Sequence, residues 1–244
     1  MTNFKAHRYE LLLPYQLRAI VTETPTAYIP LGTYEWHCEH LPVGLDALTA
    51  HGLCLRAASE MGGVVLPPLY YGTGGDHSAY PWTIMMHDAR EIETQLMHSL
   101  KRLEENGFRH AVILSGHFAD TQLEMIDQIS ETWNQSPRQL RVFVTSMNRI
   151  KNLNMGPDHA GIFETTLLHA LHPELVQIER LPTLKDKPLA RTDNWADGRH
   201  DPSHPIWGVI GPDPRGFDPT TSANLLNDAL RSFVQSVRDD ALLI

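Results

Sequence analysis

Residues 27–46 have the sequence AYIPLGTYEWHCEHLPVGLD, and this stretch indicates the class of fold. The first five residues form an apolar run that is typical of a buried strand, and the run ends at Gly32. A helical pattern begins near Asp46, so the ionisable side chains in between occupy a loop at the end of a strand. Ligand sites in open α/β sheets form at this end of the strands, and we therefore expect a functional site here.

The loop has the residue types of a metal site. If its backbone stays extended, Glu35 and His37 point to the same side, because side chains alternate along an extended chain. A carboxylate and an imidazole that face one way, followed by the carboxylate of Asp46, are typical of metal ligands. Asp46 also has a purely structural interpretation as the N-cap of the next helix, where its charge suits the helix dipole.

Strands and helices alternate along the rest of the chain. The predicted strands are 27–31, 64–67, 110–114 and 140–145. The predicted helices are 46–61, 88–106, 121–134, 160–171 and a last helix from about 220. This order predicts an α/β fold in which a mostly parallel sheet is sandwiched by helices.

Less regular segments flank these elements. Residues 8–20 predict a short strand or helix, and 181–219 predict an irregular region with a strand and turn at 206–215. No linker, repeat or low-complexity tract divides the chain, so we predict one domain over 1–244.

Further candidate ligands follow the later apolar runs. His117 comes after the strand at 110–114, His159 stands at a helix start, and Glu164 lies one turn inside that helix. The full set of candidates is Glu35, His37, Asp46, His117, His159 and Glu164. Carboxylates mixed with imidazoles, without paired thiolates, suit Zn, Mn or Fe(II).

Six ligand-type residues exceed the need of a single catalytic ion, whereas two ions that share a bridging carboxylate use them. Such sites hold a hydroxide between the ions, make it nucleophilic near neutral pH and polarise a substrate carbonyl. The predicted chemistry is hydrolysis, with one histidine left as proton donor to the leaving group. No Gly-x-Ser-x-Gly elbow, dinucleotide-binding glycine motif or His-Glu-x-x-His offers a competing interpretation.

The composition of the chain limits the classes of partner that we expect it to bind. The net charge of −9, from 20 basic and 29 acidic residues, argues against a nucleic-acid partner. No apolar run approaches the length of a membrane span, and the first ten residues lack the apolar segment of a signal peptide, so we expect a cytoplasmic protein without a membrane partner. Two cysteines, Cys38 and Cys54, exclude a disulfide scaffold, and Cys38 is interpreted as a space-filling residue.

Five short segments, spread over most of the chain, follow the pattern of one family in its order. They are 30–46, which contains Glu-x-His-x-x-His-Leu-Pro-x-x-x-Asp, then 71–83, 115–117, 159–165 and 208–215. The chain thereby resembles the creatininase (creatinine amidohydrolase) family. The resemblance implies an α/β fold, two divalent metal ions per subunit, usually Zn or Mn, and cleavage of cyclic or linear C–N amide bonds in a small-molecule substrate. It also implies a homo-oligomer, commonly a hexamer.

Carried over position by position, the resemblance implies a role for each candidate. Glu35 and His117 would hold one metal ion, His37 would hold the other, and Asp46 would bridge the two. His159 would be the acid/base residue.

The sequence departs from the family pattern at several positions. Ala119 replaces the Glu that supplies a second-metal ligand in the creatinine-hydrolysing branch, and Glu164 is the predicted substitute, as ligand and as catalytic residue. Ser115 replaces the usual Asn. Trp82 replaces the usual Gly, which predicts a narrower pocket entrance. The tryptophan that this branch carries close ahead of its catalytic histidine is also missing, which disfavours creatinine itself as substrate.

Two alternatives stay open. In the first alternative the protein is still a hydrolase, but it cleaves a bond in a formamide, a bond at a peptide end or a strained C–C bond in a sugar ketone ring. In another class, the missing ligand at position 119 permits a catalytically weak protein that binds a single metal ion. Around the loop, His40 is interpreted as an orienting residue, Glu39 as solvated, and His77 as a pocket or subunit-contact residue.

Overall fold

The fold is built on a parallel sheet. The computed structural model describes residues 4–75, 79–85, 88–183, 185–187 and 201–244. The strands are β1 (Thr26–Leu31), β2 (Val64–Val65), β3 (His110–Ser115) and β4 (Arg141–Ser146). They form one four-stranded sheet in the order β2-β1-β3-β4, with every pair parallel. The predicted α/β fold with a parallel sheet is confirmed.

Helices cover both faces of this sheet. The α-helices of the described residues are α1 (Pro14–Glu23), α2 (Leu45–Met61), α3 (Ala89–Glu105), α4 (Asp120–Asn134), α5 (Ile162–Leu171) and α6 (Ser222–Ala241). Alternate residues of β1 face opposite ways. Ile29 belongs to a buried cluster with side chains of α3 and α4, whereas Tyr28 belongs to a second cluster with α2, α5 and α6. The sheet is therefore sandwiched by helices, as predicted.

The structure differs from the predicted elements in three places. β2 ends at Val65 instead of 67, because the prolines at 67 and 68 have no N–H to donate to a neighbouring strand. The strand predicted within 206–215 is reduced to a single bridge between Ile210 and His159, followed by a turn of 3-10 helix. The N-cap interpretation of Asp46 is wrong, because α2 begins at Leu45 and Gly44 occupies the cap.

Two predictions concern the chain as a whole. Within the described ranges, no helix is both long enough and apolar enough to cross a membrane. The prediction of one domain over 1–244 stays a prediction, since residues 188–200 lie outside the part of the chain that the structure describes.

Candidate metal centre

Two glycines bring helix α2 against the carboxyl edge of the sheet. A Cβ atom on Gly32 would lie 2.2 Å from the nitrogen of Ala47, and one on Gly116 would lie 2.0 Å from the carbonyl oxygen of Asp46. Gly32 follows β1 and Gly116 follows β3, and the two strands pair side by side up to their last residues. Any larger residue at either position would push α2 away, so the glycines place Asp46 between the two strand-end loops.

Asp46 joins two clusters of ligand-type atoms. On one side, His117 Nδ1 lies 3.0 Å from Glu35 Oε2 and 3.3 Å from Asp46 Oδ2. On the other side, His37 Nε2 lies 3.2 Å from Asp46 Oδ1 and 3.6 Å from Glu164 Oε2. Within each cluster the three ligand atoms lie within 4.8 Å of one another. All five predicted metal-site residues therefore come together, although they belong to four separate segments.

The electrostatics of the clusters suit a bound cation. Burial alone would lower the pKa of His37, but Asp46 and Glu164 beside it raise that pKa to about 10. Burial, reinforced by Asp46, raises the pKa of Glu164 well above its usual value. His37 Nε2 and Asp46 Oδ2 are buried and find no hydrogen bond of acceptable geometry among the described residues. Buried polar atoms normally have a bonding partner, and a divalent cation would supply one to each of these two atoms.

The orientation of His37 fits a ligand. Its Nδ1 lies 2.9 Å from the carbonyl oxygen of Glu35. A carbonyl oxygen only accepts hydrogen bonds, so Nδ1 carries the hydrogen and the lone pair of the neutral ring is on Nε2. Nε2 is the atom that faces the carboxylates of Asp46 and Glu164. A backbone carbonyl that fixes the tautomer of an imidazole in this way is usual for metal-ligating histidines.

His159 lies beside the first cluster. Its backbone pairs with Ile210 through two hydrogen bonds of 2.8 Å. Its Nε2 lies 3.0 Å from the carbonyl oxygen of Trp36, and its Nδ1 lies 4.0 Å from Glu35 Oε2. The rings of His159 and His37 are 4.5 Å apart. His159 is thus close enough to exchange a proton with a molecule bound at the clusters.

Asp158 organises the start of α5, and the sequence analysis missed it. Its carboxylate accepts hydrogen bonds from the backbone N–H groups of Gly161, Phe163 and Glu164. The backbone N–H of Ala160 in turn donates to Glu164 Oε2 over 2.6 Å. Burial raises the pKa of Asp158 to about 6, although the backbone donors oppose that shift. An Asp ahead of an apolar helical run was the available signal for this cap.

Gln122 is a second residue that the sequence analysis missed. It is fully buried in the first turn of α4 and donates to the Ser115 hydroxyl over 2.8 Å. Its side-chain oxygen accepts from the backbone N–H of Thr73 over 2.9 Å, and Ser115 bonds the carbonyl oxygen of His117. This chain of hydrogen bonds holds the loop that carries His117. A polar residue within an amphipathic helix gave no sign of the contact.

A cavity of about 680 Å³ opens onto the clusters. Its wall includes Phe118, Ala119 and Asn148 beside the candidate ligands. Trp82 is not among the described residues that line it, and its side chain is 76% exposed. The narrower pocket entrance at Trp82 therefore stays a prediction.

The remaining residues of the loop lie as interpreted. His40 is buried with Nε2 3.0 Å from the Thr165 hydroxyl, and burial lowers the pKa of His40 to about 3. Glu39 is exposed, and Cys38 packs in an apolar cluster. His77 lies outside the described residues, so its proposed pocket or subunit contact stays a prediction.

These features define a class before any comparison: an α/β protein whose parallel sheet carries a candidate metal centre at its carboxyl edge. Residues 13–237 match the family model described as "Creatininase: Creatinine amidohydrolase", and the chain belongs to this family. Members of the creatininase family are amidohydrolases, and this chain is therefore an enzyme of the hydrolase class.

Named relatives agree with this assignment. The chain is 28% identical over 176 residues to creatinine amidohydrolase of Pseudomonas putida, a match that covers 63% of this chain and 66% of that protein. It is also 28% identical over 227 residues to a mycofactocin precursor peptide peptidase of Mycobacterium ulcerans, covering 88% of this chain and 82% of the relative. Among solved structures, "Creatininase Mn" superposes with a TM-score of 0.74 at 22% identity, over 95% of this chain and 97% of that chain.

Proposed function

We propose that this chain hydrolyses a C–N amide bond in a small molecule, such as a cyclic amide, a lactam or a formamide, with two divalent cations. The observation that carries the proposal is the position of Asp46. One carboxylate oxygen lies 3.3 Å from His117 and the other lies 3.2 Å from His37, so one side chain faces both clusters. Two-metal hydrolytic sites use a shared ligand between their ions in this way.

The donor set suggests which ions bind and where. Glu35 and His117 would hold one cation, His37 and Glu164 the other, and Asp46 both. Mixed carboxylate and imidazole donors suit Zn or Mn, and they also accept Fe(II). The similarity to creatininases in Zn and Mn forms supports both of these ions. When bound, such a pair of cations supplies a nucleophilic hydroxide near neutral pH and polarises the substrate carbonyl.

The protein's own residues supply the remaining steps. His159 would give a proton to the departing nitrogen, since its ring borders both the cavity and Glu35. Glu164 would act as ligand and would keep the second cation beside the reacting carbonyl. The burial of both side chains would exclude bulk water from the reacting bond.

The test is the variant Asp46→Ala with Asp239→Ala as its matched control. Asp239 is an exposed aspartate of α6, far along the chain from every candidate ligand. We expect Asp46→Ala to lose both bound cations and turnover, while Asp239→Ala keeps both. Full activity in Asp46→Ala would refute the bridging role.

A peptide end is the second candidate substrate. The cavity, at about 680 Å³, lies well within the range that holds drug-sized ligands and has room for more than a small ring. The relative that matches 88% of this chain is a peptide peptidase. A panel of cyclic amides, formamides, short peptides and sugar lactones, assayed with added Zn or Mn, separates the candidates by the substrate that is turned over.

A single-ion binding protein is the rival from another class, because the family's Glu is replaced at Ala119. The number of cations per subunit decides between them: two ions favour the enzyme, and one or none favours the rival.

The cellular form is also a proposal. We expect a cytoplasmic homo-oligomer, with a hexamer as the state that the family resemblance implies. Sedimentation velocity of the purified chain tests the hexamer directly.

A further inference from the structure

One backbone carbonyl fixes the ring of His159. Its Nε2 lies 3.0 Å from the carbonyl oxygen of Trp36, which accepts hydrogen bonds and cannot donate. Nε2 therefore carries a hydrogen, and the second ring nitrogen, Nδ1, is the one that faces Glu35 Oε2 at 4.0 Å. The contact determines which nitrogen is available for proton exchange on the side of the candidate metal centre.

Two hydrogen bonds hold Trp36 itself, one at its backbone N–H and one at its indole ring. Its N–H donates to the Thr83 hydroxyl over 2.9 Å, and its indole Nε1 donates to the carbonyl oxygen of Trp207 over 3.1 Å. A Cβ atom on Gly208 would lie 2.6 Å from the indole ring, so only glycine lets the ring settle there. Trp36 is 6% exposed. The carbonyl that meets His159 thus belongs to a residue that is fixed at its backbone N–H and at its indole ring.

The segment after Trp207 also holds His159 through its backbone. Ile210 and His159 exchange two backbone hydrogen bonds of 2.8 Å. Thr83 belongs to one segment of the family pattern and Gly208 to another, and neither lies in the metal clusters. Both segments therefore contact Trp36, whose carbonyl meets the ring of His159.

We propose that Thr83 is a positioning residue for His159: its hydroxyl holds the backbone N–H of Trp36, the carbonyl oxygen of the same residue accepts a hydrogen bond from Nε2 of His159, and Nδ1 is then the nitrogen that exchanges a proton with the substrate. This inference rests on the proposed function for the proton transfer. In this step Nδ1 first takes a proton from the water that attacks the carbonyl carbon, and it then gives that proton to the departing nitrogen as the C–N bond breaks, while Nε2 keeps its hydrogen throughout.

Adjacent carbonyls thus fix opposite nitrogens of two neighbouring rings. The carbonyl of Glu35 fixes Nδ1 of His37, so that Nε2 faces Asp46 and Glu164, whereas the carbonyl of Trp36 fixes Nε2 of His159, so that Nδ1 faces Glu35. One short segment can in this way assign a ligand role to one imidazole and an acid/base role to the other.

The first experiment measures the tautomer and needs no turnover. The chain is labelled with ¹⁵N-histidine and loaded with Zn, and the spectrum is recorded at a pH where the ring of His159 is neutral. The signals of His159 among the 14 histidines are those lost in His159→Gln. We expect the hydrogen on Nε2 and the unprotonated nitrogen signal from Nδ1. A hydrogen on Nδ1 overturns the inference.

The second experiment measures kinetics and metal content. Thr83→Val removes the hydroxyl at nearly constant shape, and Thr83→Ser restores it. Thr94→Val is the matched control, because Thr94 lies on the exposed face of α3 and its hydroxyl donates to the carbonyl of Arg90 in the same helix. We expect Thr83→Val to lose about 10-fold or more in kcat, with KM within about twofold and metal content unchanged.

Thr83→Ser and Thr94→Val should stay near the wild-type kcat. Wild-type kcat in Thr83→Val, or a loss that appears only in KM or metal content, overturns the positioning role. A chain that cleaves no amide would refute the proposed function, and the tautomer measurement would still decide the orientation of His159.

Discussion

At the residue scale, we propose that Glu164 takes the place of a carboxylate that the creatinine-hydrolysing branch of the family has at position 119. Ala119 lines the same cavity but offers no ligand atom. Glu164 reaches within 3.6 Å of His37 from α5, and the N–H of Ala160 holds its Oε2. Under this proposal, the second cation receives its carboxylate from α5 instead of from position 119.

The variant Glu164→Gln tests this substitution. We expect it to weaken binding of the second cation and to lower kcat, each by about 10- to 100-fold or more, because a neutral amide is a poorer ligand than a carboxylate. Glu174→Gln, at an exposed position after α5, is the matched control and should bind two cations. Titration calorimetry with Zn counts the sites.

Two tight sites in Glu164→Gln would contradict the substitution. Adding Ala119→Glu to Glu164→Gln should return the second cation, because position 119 faces the same cavity.

The candidate ligands were predictable from the sequence, whereas the residues that support them were not. Glu35, His37 and His117 each follow an apolar run, a pattern that is visible in one dimension. Gln122 and Asp158 act through contacts with loops distant in sequence or with backbone N–H groups, which no periodicity encodes. The roles of all these residues in catalysis stay predictions.

At the element scale, α6 is tied to the amino ends of two strands, opposite the candidate site. Asp240 accepts two hydrogen bonds from Arg141, of 2.7 and 2.9 Å, and lies 3.0 Å from His110 Nε2. His110 and Arg141 are paired residues of β3 and β4. Burial would raise the pKa of Asp240, but these two partners outweigh it and lower that pKa.

We expect Asp240→Asn to lower the free energy of unfolding by about 1–3 kcal/mol near neutral pH. A carboxyl with a lower pKa in the folded state stabilises the protein above its unfolded pKa of about 4, and the stabilisation is lost as pH falls through the folded value. The difference between wild type and variant should therefore shrink in acid. Urea unfolding at pH 7 and at pH 3.5 measures it, and a difference independent of pH would contradict the ion pair.

Elements with strong periodicity were the most predictable. Helix α3 was predicted from the apolar stripe of Ile92, Leu96, Leu100 and Leu103. Strand β3 was predicted from the apolar run at 110–114. The segment at 206–215 was overpredicted as a strand. Its apolar residues Ile206 and Val209 pack in a buried cluster with Cys38 instead of joining the sheet, and only tertiary contacts decide that outcome.

At the scale of the whole molecule, the centre concentrates negative charge inside a folded core. The centre contains three buried carboxylates, and each lies within a few ångströms of a histidine ring. They are those of Glu35, Asp46 and Glu164. Uncompensated buried charges destabilise a fold, so bound cations should stabilise this one.

Removal of metal should lower Tm by about 5–10 °C, from roughly 2.7 kcal/mol of binding free energy at a metal concentration 100 times Kd. Differential scanning fluorimetry with and without a chelator measures the change. Added Zn or Mn should restore Tm, whereas Mg, which favours oxygen ligands, should not. An identical Tm in chelator would argue against a metal centre in the folded core.

The central claim is that one carboxylate, Asp46, joins two cations between β1, β3 and α5. Anomalous diffraction from crystals grown with Zn measures this most directly. We expect two peaks about 3.5–4 Å apart, one beside Glu35 and His117 and the other beside His37 and Glu164, with Asp46 between them. A single peak, or none at Asp46, would contradict it.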